Sequence, residues 1–330
     1  MMQDVASKHD LEHSDLKLIE ELEKDARQTF DVLADKLNLS RPTVGRKVGK
    51  LLKSRAIKIV TLADPRFLGY TISATLVVTA QPGAIRGVAE RLVSHPNVHH
   101  VMVGMGRFNI IAWVLFRDPS DMEALVMQEL GSISGIIKAE AMPHLREVKH
   151  STALLAGCDL YASRRRPTFP LDHLSLRLIG ELELEARQSP SRLAAKIGTS
   201  PSTVSRRLQR LIDEGVIRIV AIANPASLGY QIVAVVGVKA QTGMLDTVAE
   251  AMAAHSKLLD VVVLASRYDI MAWGRFRSQE ELLDFVGTDL PRIDGIREIE
   301  TMLNMSIMKT SFRFLSTGFY SQTADLVRSP

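Results

Sequence analysis

Apolar residues recur at two spacings along this chain, and the spacing changes at matching places in its two halves. Leu18, Leu22 and Ala26 fall at helical intervals, as do Leu174, Leu178 and Leu182. A further helical stripe runs through Val204, Leu208, Leu211 and Ile212. Ser200-Pro201 precedes it, and both residues suit a helix start. The serine hydroxyl accepts from a first-turn amide, and proline gives up an amide that would have no helical partner. Gly215 suits the position just past the end. The short β-branched runs Ile57 to Leu62 and Ile217 to Ile222 predict wing strands, and Asp64-Pro65 and Asn224-Pro225 predict turns. Beyond the first turn the pattern predicts a strand at Tyr70 to Ala80 and a helix at Ile85 to Val93. Strands at Val98 to Val103 and Ile110 to Phe116 follow, then a helix at Ser120 to Leu130 and a strand at Ile136 to Val148. Residues 230–310 repeat this βαββαβ order, which is the ferredoxin-like arrangement.

The two halves are a duplication. Asp25-Ala26-Arg27-Gln28 matches Glu185-Ala186-Arg187-Gln188, Leu68-Gly69-Tyr70 matches Leu228-Gly229-Tyr230, and Arg107 through Trp113 matches Arg267 through Trp273. Gly135-Ile136 matches Gly295-Ile296, and every pair lies 160 positions apart, so the halves align without a gap. A period this long, present twice, predicts a duplicated two-domain unit and not a solenoid.

Ser189-Pro190 opens a short helix through Leu193, Ala194 and Ile197, and Gly198 closes it. The tight turn to Ser200 makes this pair a helix-turn-helix, whose second helix enters the DNA major groove. The outer face of that helix carries Ser202, Thr203, Arg206, Arg207 and Arg210, the candidate DNA contacts of the second half. Thr43, Arg46, Lys47 and Lys50 are their counterparts in the first half. For each cation the competing reading is a solvated helix face. From Arg41 to Arg55 the first half carries Arg41, Arg46, Lys47, Lys50, Lys53 and Arg55 with no acid, whereas the matching segment holds Asp213 and Glu214. Gly45 and Gly49 stand where the second half has Ser205 and Gln209, and each interior glycine weakens a helix by up to about 1 kcal/mol. The first recognition helix is therefore expected to be less rigid, more basic, and given to phosphate contacts that position without reading sequence.

Composition narrows the class. The chain has 330 residues, 46% of them hydrophobic, and a net charge of +4, which permits a nucleic-acid partner without demanding one. No apolar run approaches the roughly 18 residues of a membrane span, so no membrane partner is expected. Met1 to Asp10 has no apolar core of a secretory signal, and Cys158 is the single cysteine, which leaves no intrachain disulfide or cysteine metal cluster. A cytoplasmic protein fits these features. Ser151 to Pro170 is expected to be a linker. Its basic run Arg164-Arg165-Arg166 is a solvated cluster or a phosphate contact. The tail past Thr310 is aromatic, with Phe312, Phe314, Phe319 and Tyr320, and is expected to pack.

In this order of parts, and in the stretch from Glu185 to Tyr230 above all, the chain resembles the Lrp/AsnC (leucine-responsive, feast/famine) family of transcription regulators. The resemblance covers nearly the whole chain, twice. It implies an α+β chain of two winged helix-turn-helix domains and two ferredoxin-like sensing domains in tandem. The expected spans are 10–62 and 171–222 for the DNA-binding domains, 63–150 and 223–312 for the sensing domains, 151–170 for the linker and 313–330 for the tail. It further implies double-stranded DNA as partner and a small-molecule effector such as an amino acid. Family members with one copy pair through their sensing domains. The two copies are therefore expected to form an intrachain pseudo-dimer, with further homo-oligomers open.

The family's effector site lies near the turn between the second and third sensing strands, where its text resembles Gly-x-Tyr-Asp. Here the first half offers Gly106, Phe108 and Asn109, around Arg107, and the second offers Ser266, Tyr268 and Asp269, around Arg267. Turn amides suit a carboxylate, and Asp269 suits an α-ammonium group. A tight hairpin with no ligand is the competing reading.

Histidines 95, 99, 100, 144, 150 and 255 raise the question of a metal or haem. Only His95 has a matching histidine, His255, and the adjacent His99 and His100 point to opposite faces of a strand. No metal site, cofactor or catalytic residue is expected, and Trp113 and Trp273 are expected in cores. The function expected is sequence-specific DNA-binding regulation and not catalysis. The alternative is a sirohaem decarboxylase-like enzyme, since some proteins resembling this family, including fused two-copy forms, carry out that step.

Overall fold

The computed structural model describes residues 11–157 and 171–315. Cys158, the Arg164–Arg166 run, Phe319 and Tyr320 lie outside the described residues. In the first half α1 spans His13–Lys24, α2 Phe30–Leu37, α3 Arg41–Lys53 and β1 Ile57–Ala63. Then come β2 Ile72–Ala80, α4 Ile85–Ser94, β3 Val98–Met105, β4 Ile110–Phe116, α5 Pro119–Ala124, α6 Leu130–Ser132 and β5 Ile136–His150. The second half repeats the order with α7 His173–Leu184, α8 Pro190–Ile197, α9 Pro201–Asp213 and β6 Ile217–Ala223. It continues through β7 Ile232–Ala240, α10 Leu245–Ala254, β8 Leu258–Leu264, β9 Ile270–Phe276, α11 Gln279–Asp284 and β10 Ile296–Thr310. Among the described residues the chain divides into two compact units, each drawing on both halves: the first 11–69 with 153–157, 171–228 and 312–315, and the second Tyr70–Thr152 with Gly229–Ser311.

In the first unit each helix-turn-helix is closed by its caps. Ser40 and Ser200 accept from the amides of Thr43 and Thr203, and the turns pass through left-handed Asn38 (φ 52°) and Gly198 (φ 73°). The strands expected as wings pair with each other instead. β1 and β6 form a two-stranded antiparallel ribbon in which Val60 faces Val220. Those two valines are equivalent positions of the repeat, so the pseudo-two-fold axis of this unit passes between them. Ties across the halves add to the ribbon: the Ala26 amide donates to the Ile219 carbonyl (2.8 Å), and the Thr61 hydroxyl to that of Leu182 (2.9 Å). The interior glycines of α3 have different surroundings. A Cβ on Gly45 would meet the Phe30 ring at 3.4 Å, whereas one on Gly49 would meet nothing within 4 Å.

The second unit is a closed eight-stranded barrel in the order β10-β3-β4-β2-β5-β8-β9-β7. Each half contributes the four-strand sheet of a ferredoxin-like domain, with helices α4 and α10 covering its outer face. The expected pairing of residues 70–150 with 230–310 takes this form: β5 pairs with β8 and β10 with β3, so neither sheet keeps a free edge. β5 runs to His150, past the expected Val148, because its last residues pair with the other half. Inside, Val77, Met102, Phe108 and Met142 pack against Val235, Tyr268, Met271 and Met302 in one core shared by both halves. Two lysines lock the seams. Lys309 donates to the carbonyls of Val93 (2.8 Å) and His95 (3.2 Å) at the end of α4, and Lys149 to that of His255 (3.1 Å) past α10. A cation there also opposes the negative end of the helix dipole. The single helix expected at Ser120 to Leu130 is broken by a π-helical turn at Leu125–Glu129, matched by one at Phe285–Asp289. Those turns bring Glu129 to 3.1 Å from His95 and Asp289 to 3.4 Å from His255.

Candidate nucleic-acid interface and sensing turns

The apolar stripe of α9 (Val204, Leu208, Leu211) is buried, which turns Ser202, Arg206 and Arg210 outward. In α3 the burial of Val44, Val48 and Leu51 does the same for Arg46 and Lys50. Thr43 and Thr203 sit at the caps, their hydroxyls 2.8 and 2.9 Å from those of Ser40 and Ser200. Neither Arg46 nor Arg206 has a side-chain hydrogen bond or ion pair among the described residues.

Lys47 and Arg207 have a different task from the one expected of them. Lys47 reaches Glu12 at 2.8 Å and the buried Asp15 at 2.9 Å. Arg207 reaches Asp172 at 2.7 Å and the Ser175 hydroxyl at 3.0 Å. Each braces its recognition helix against the first turn of the first helix of its own half. The hydrogen bonds to Glu12 and then Asp15 hold the Lys47 ammonium above its ordinary pKa. Contact with DNA would require these two cations to leave carboxylates already in place. The expected DNA contacts that face outward are Arg46 and Lys50 in one half, and Ser202, Arg206 and Arg210 in the other.

The sensing turns are also committed within the protein. Gly106 has φ 144° and lies against β10, where a Cβ would come within 2.9 Å of Met302. Phe108 and Tyr268 are buried in the shared core. The Tyr268 ring covers Gly237 so closely that any side chain there would collide with it, at 2.6 Å. Asn109 clasps the end of β2, accepting from the Ala80 amide (2.8 Å) and donating to its carbonyl (3.2 Å). Asp269 accepts from the Ala240 amide (2.9 Å) and from Lys239 (2.9 Å), and Ser266 turns its carbonyl towards the same lysine (3.4 Å). Asp269 is thus a strand clamp and not an open acceptor for an ammonium group. Asp269→Ala should cost about 1–3 kcal/mol by stranding Lys239 and the Ala240 amide. Urea unfolding measures this, and an unchanged midpoint would deny the clamp.

The charged groups around the turns were missed from the sequence. Arg107 meets Glu300 of the other half at 2.8 Å, and Arg267 meets Glu140 at 3.6 Å while lying 5.7 Å from the Phe108 ring centre. Burial, and then Glu300, push the Tyr268 hydroxyl up to about 12. Each turn therefore presents an arginine from one half beside a carboxylate from the other, and the symmetric recurrence of the pair was the available signal.

Among the described residues no group of three or more His, Cys, Asp or Glu is placed to hold a metal. His99 is buried beside Tyr70 and Trp113, and His100 bonds Thr310 across the seam. His144 bridges Ser73 (3.0 Å) and Thr75 (2.8 Å), and Trp113 donates to Ser73 (2.8 Å). Among the described residues no helix is long and apolar enough to cross a membrane.

Comparison with known proteins follows the same division. A winged helix-turn-helix DNA-binding model matches residues 11–58 and 171–218, and the Lrp/AsnC ligand binding domain model matches 73–154 and 233–314. An uncharacterised HTH-type transcriptional regulator of Pyrococcus abyssi is 33% identical over 151 residues, which are 46% of this chain and 94% of that protein. One of Pyrococcus furiosus is 32% identical over 143 residues, 43% of this chain and 97% of its own. Relatives of this kind correspond to one half of the present chain. Two crystal structures of the siroheme decarboxylase NirDL, one in co-complex with an iron-uroporphyrin III analogue, share the fold over 96% and 95% of this chain and 98% and 99% of theirs. Their TM-scores are 0.67 and 0.64 at 17% and 16% identity, a likeness of fold alone. With both family models matched twice in the same order, the chain belongs to the Lrp/AsnC family of transcription regulators, as a tandem duplicate.

Proposed function

We propose that this chain is a cytoplasmic, sequence-specific DNA-binding regulator whose two recognition helices read DNA unequally and answer to a small metabolite such as an amino acid. The observation that carries the reading is the pair of capped recognition helices in one unit, with Arg46 and Arg206 outward and claimed by no acceptor among the described residues. Binding by such cations releases counterions, so affinity must fall steeply with salt. No binding of duplex DNA at low salt would overturn the reading. If the same chain took up an iron porphyrinoid tightly, the fold likeness to the decarboxylase would become the better guide.

The two readers differ in chemistry. α9 offers Ser202, Arg206 and Arg210, which suit base edges, while α3 offers Arg46 and Lys50 beside two glycines. An asymmetric site is expected, read mainly by the second half. Arg206→Ala should relax base preference at one position, at about 1–3 kcal/mol for a bidentate contact. Arg46→Ala should weaken binding evenly across sequences. Selection of sites from random DNA with each variant tests this, and a palindromic consensus with equal losses would deny the division.

For the effector, the complement to an amino-acid zwitterion passes from Asp269 to Arg107 and Glu300, a cation and an anion already side by side. DNA affinity measured with each common amino acid present tests the response. No change with any of them would remove that ligand class.

A further inference from the structure

We propose that Arg55, with Lys53 and Lys58, forms a phosphate-binding shoulder beyond the end of the first recognition helix, one that the second half lacks. The inference rests on the DNA-binding reading above and adds a second, one-sided footprint to it.

The first observation is backbone strain. Arg55 is one of two described non-glycine residues with positive φ, at 58°, and it stands just past the end of α3. The equivalent position of the second half is Gly215, with φ 71°. Glycine adopts that conformation freely, whereas a Cβ is penalised there. So the first half holds a costly residue where its own duplicate shows the unstrained solution.

The second observation is that no bond of the Arg55 side chain among the described residues repays the strain. Arg55 is exposed, and its guanidinium has no hydrogen bond or ion pair among the described residues. Lys53 on the last turn of α3 and Lys58 on β1 are exposed as well. The counterparts differ in kind. Asp213 replaces Lys53 and holds Gln209 at 2.8 Å, Glu214 follows it, and Arg218, in place of Lys58, donates to the Lys24 carbonyl at 3.3 Å. One end is a cluster of cations, and the other carries two carboxylates that would repel phosphate.

The third is reach. Lys53 lies seven residues beyond Arg46, about 10 Å along a helix rising roughly 1.5 Å per residue. The major groove is about 12 Å wide. A helix seated by its first turns therefore brings its last turn to the groove edge, where the phosphates run. A competing role for these cations is to offset the negative end of the helix dipole. The two roles predict opposite effects on stability when Arg55 is changed.

The test is Arg55→Gly in the full chain, with affinity for duplex DNA measured from about 50 to 200 mM salt and the melting midpoint measured without DNA. The expected result is a rise in melting midpoint together with weaker DNA binding. The slope of log affinity against log salt should shrink by about 0.9, one phosphate contact. Lys58→Gln should shrink the slope likewise without moving the melting midpoint. A lower midpoint in Arg55→Gly would assign Arg55 to the fold and overturn the proposal. So would an affinity and slope equal to those of the unaltered chain. If the unaltered chain binds no DNA, the DNA-binding reading itself fails, and this shoulder with it.

Discussion

Between pH 7 and pH 5 the barrel should lose at least about 4 kcal/mol of stability, most of it through His99 and His144. Burial, helped by the charge of Lys309, lowers His99 to about 3. Burial, helped by His150 and opposed by Asp260, lowers His144 to about 4. In the unfolded chain both titrate near 6.5. At pH 5 the unfolded histidines are nearly all protonated and the folded ones are not, so acid favours unfolding by about 2 kcal/mol for each. The stability they allow is fully present above about pH 6.5 and is lost as the pH falls towards 4 and then 3. His100, held at about 4 by burial with Asp260 and Arg275 near it, adds to the same trend. The duplication supplies the control. Leu259 and Asn304 occupy the matching positions of the second half. The double variant His99→Leu, His144→Asn should remove about 4 kcal/mol of the pH-dependent loss. The bonds to Ser73 and Thr75 that it also removes shift stability at every pH and leave the slope alone. Trp113 and Trp273 are the only tryptophans and both lie in the barrel, so urea unfolding followed by their fluorescence reports this unit. Equal pH dependence in variant and unaltered chain would refute the assignment.

The repeat and the element types were legible because they are local. A gapless offset of 160 and a change from helical to alternating spacing need no knowledge of what packs on what. Partner choice is different. β1 and β6 looked like wings because a short β-branched run does not name its partner, and the ribbon that puts Val60 opposite Val220 becomes visible only in the fold. The same holds for β5, predicted as a strand to Val148, whose pairing with β8 the sequence does not name. Lys47 and Arg207 looked like DNA contacts because a helical wheel shows which face is polar, not whether another helix ends against it. A signal existed. Glu12 and Asp172 each stand 35 positions before the cation they hold, in both halves. Asn109 and Asp269 were assigned to a ligand because their turns resemble the family's Gly-x-Tyr-Asp text. Their matched clasps on Ala80 and Ala240 show that the hairpin needs that side chain for itself. Arg107 and Arg267 went unassigned because their carboxylate partners lie in the other half, at a distance no local pattern reveals.

Glu23→Ala should destabilise the DNA-binding unit by about 3 kcal/mol or more. Glu23 is 1% exposed, on the inner face of α1. Its carboxylate accepts from three consecutive amides, Leu154 (3.0 Å), Leu155 (2.8 Å) and Ala156 (2.9 Å), just after β5. Those amides belong to no strand, and buried amides without acceptors are costly. Glu183 repeats the device on α7, accepting from Phe314 (3.0 Å) and Leu315 (2.9 Å). Phe314, which the sequence suggested would pack, is buried there. Each half thus fastens the segment leaving its own sensing domain to the first helix of its own DNA-binding module. Glu183→Ala removes the acceptor of the Phe314 and Leu315 amides and should destabilise the same unit. Glu23→Gln keeps one oxygen but turns an N–H towards amides, so an intermediate loss is expected. Amide hydrogen exchange separates the two fasteners within one molecule. In Glu23→Ala, protection should fall at Leu154 to Ala156 and persist at Phe314 and Leu315, with the reverse in Glu183→Ala. Unchanged protection at residues 154–156 would show that the carboxylate does not hold them. The acid response should also differ from that of the barrel. Burial raises the Glu23 carboxyl despite its three amide donors, so the folded state holds its proton more tightly than the unfolded one. Falling pH then favours this fastener, and acid lability should appear in the tryptophan signal before it appears in the exchange of residues 154–156.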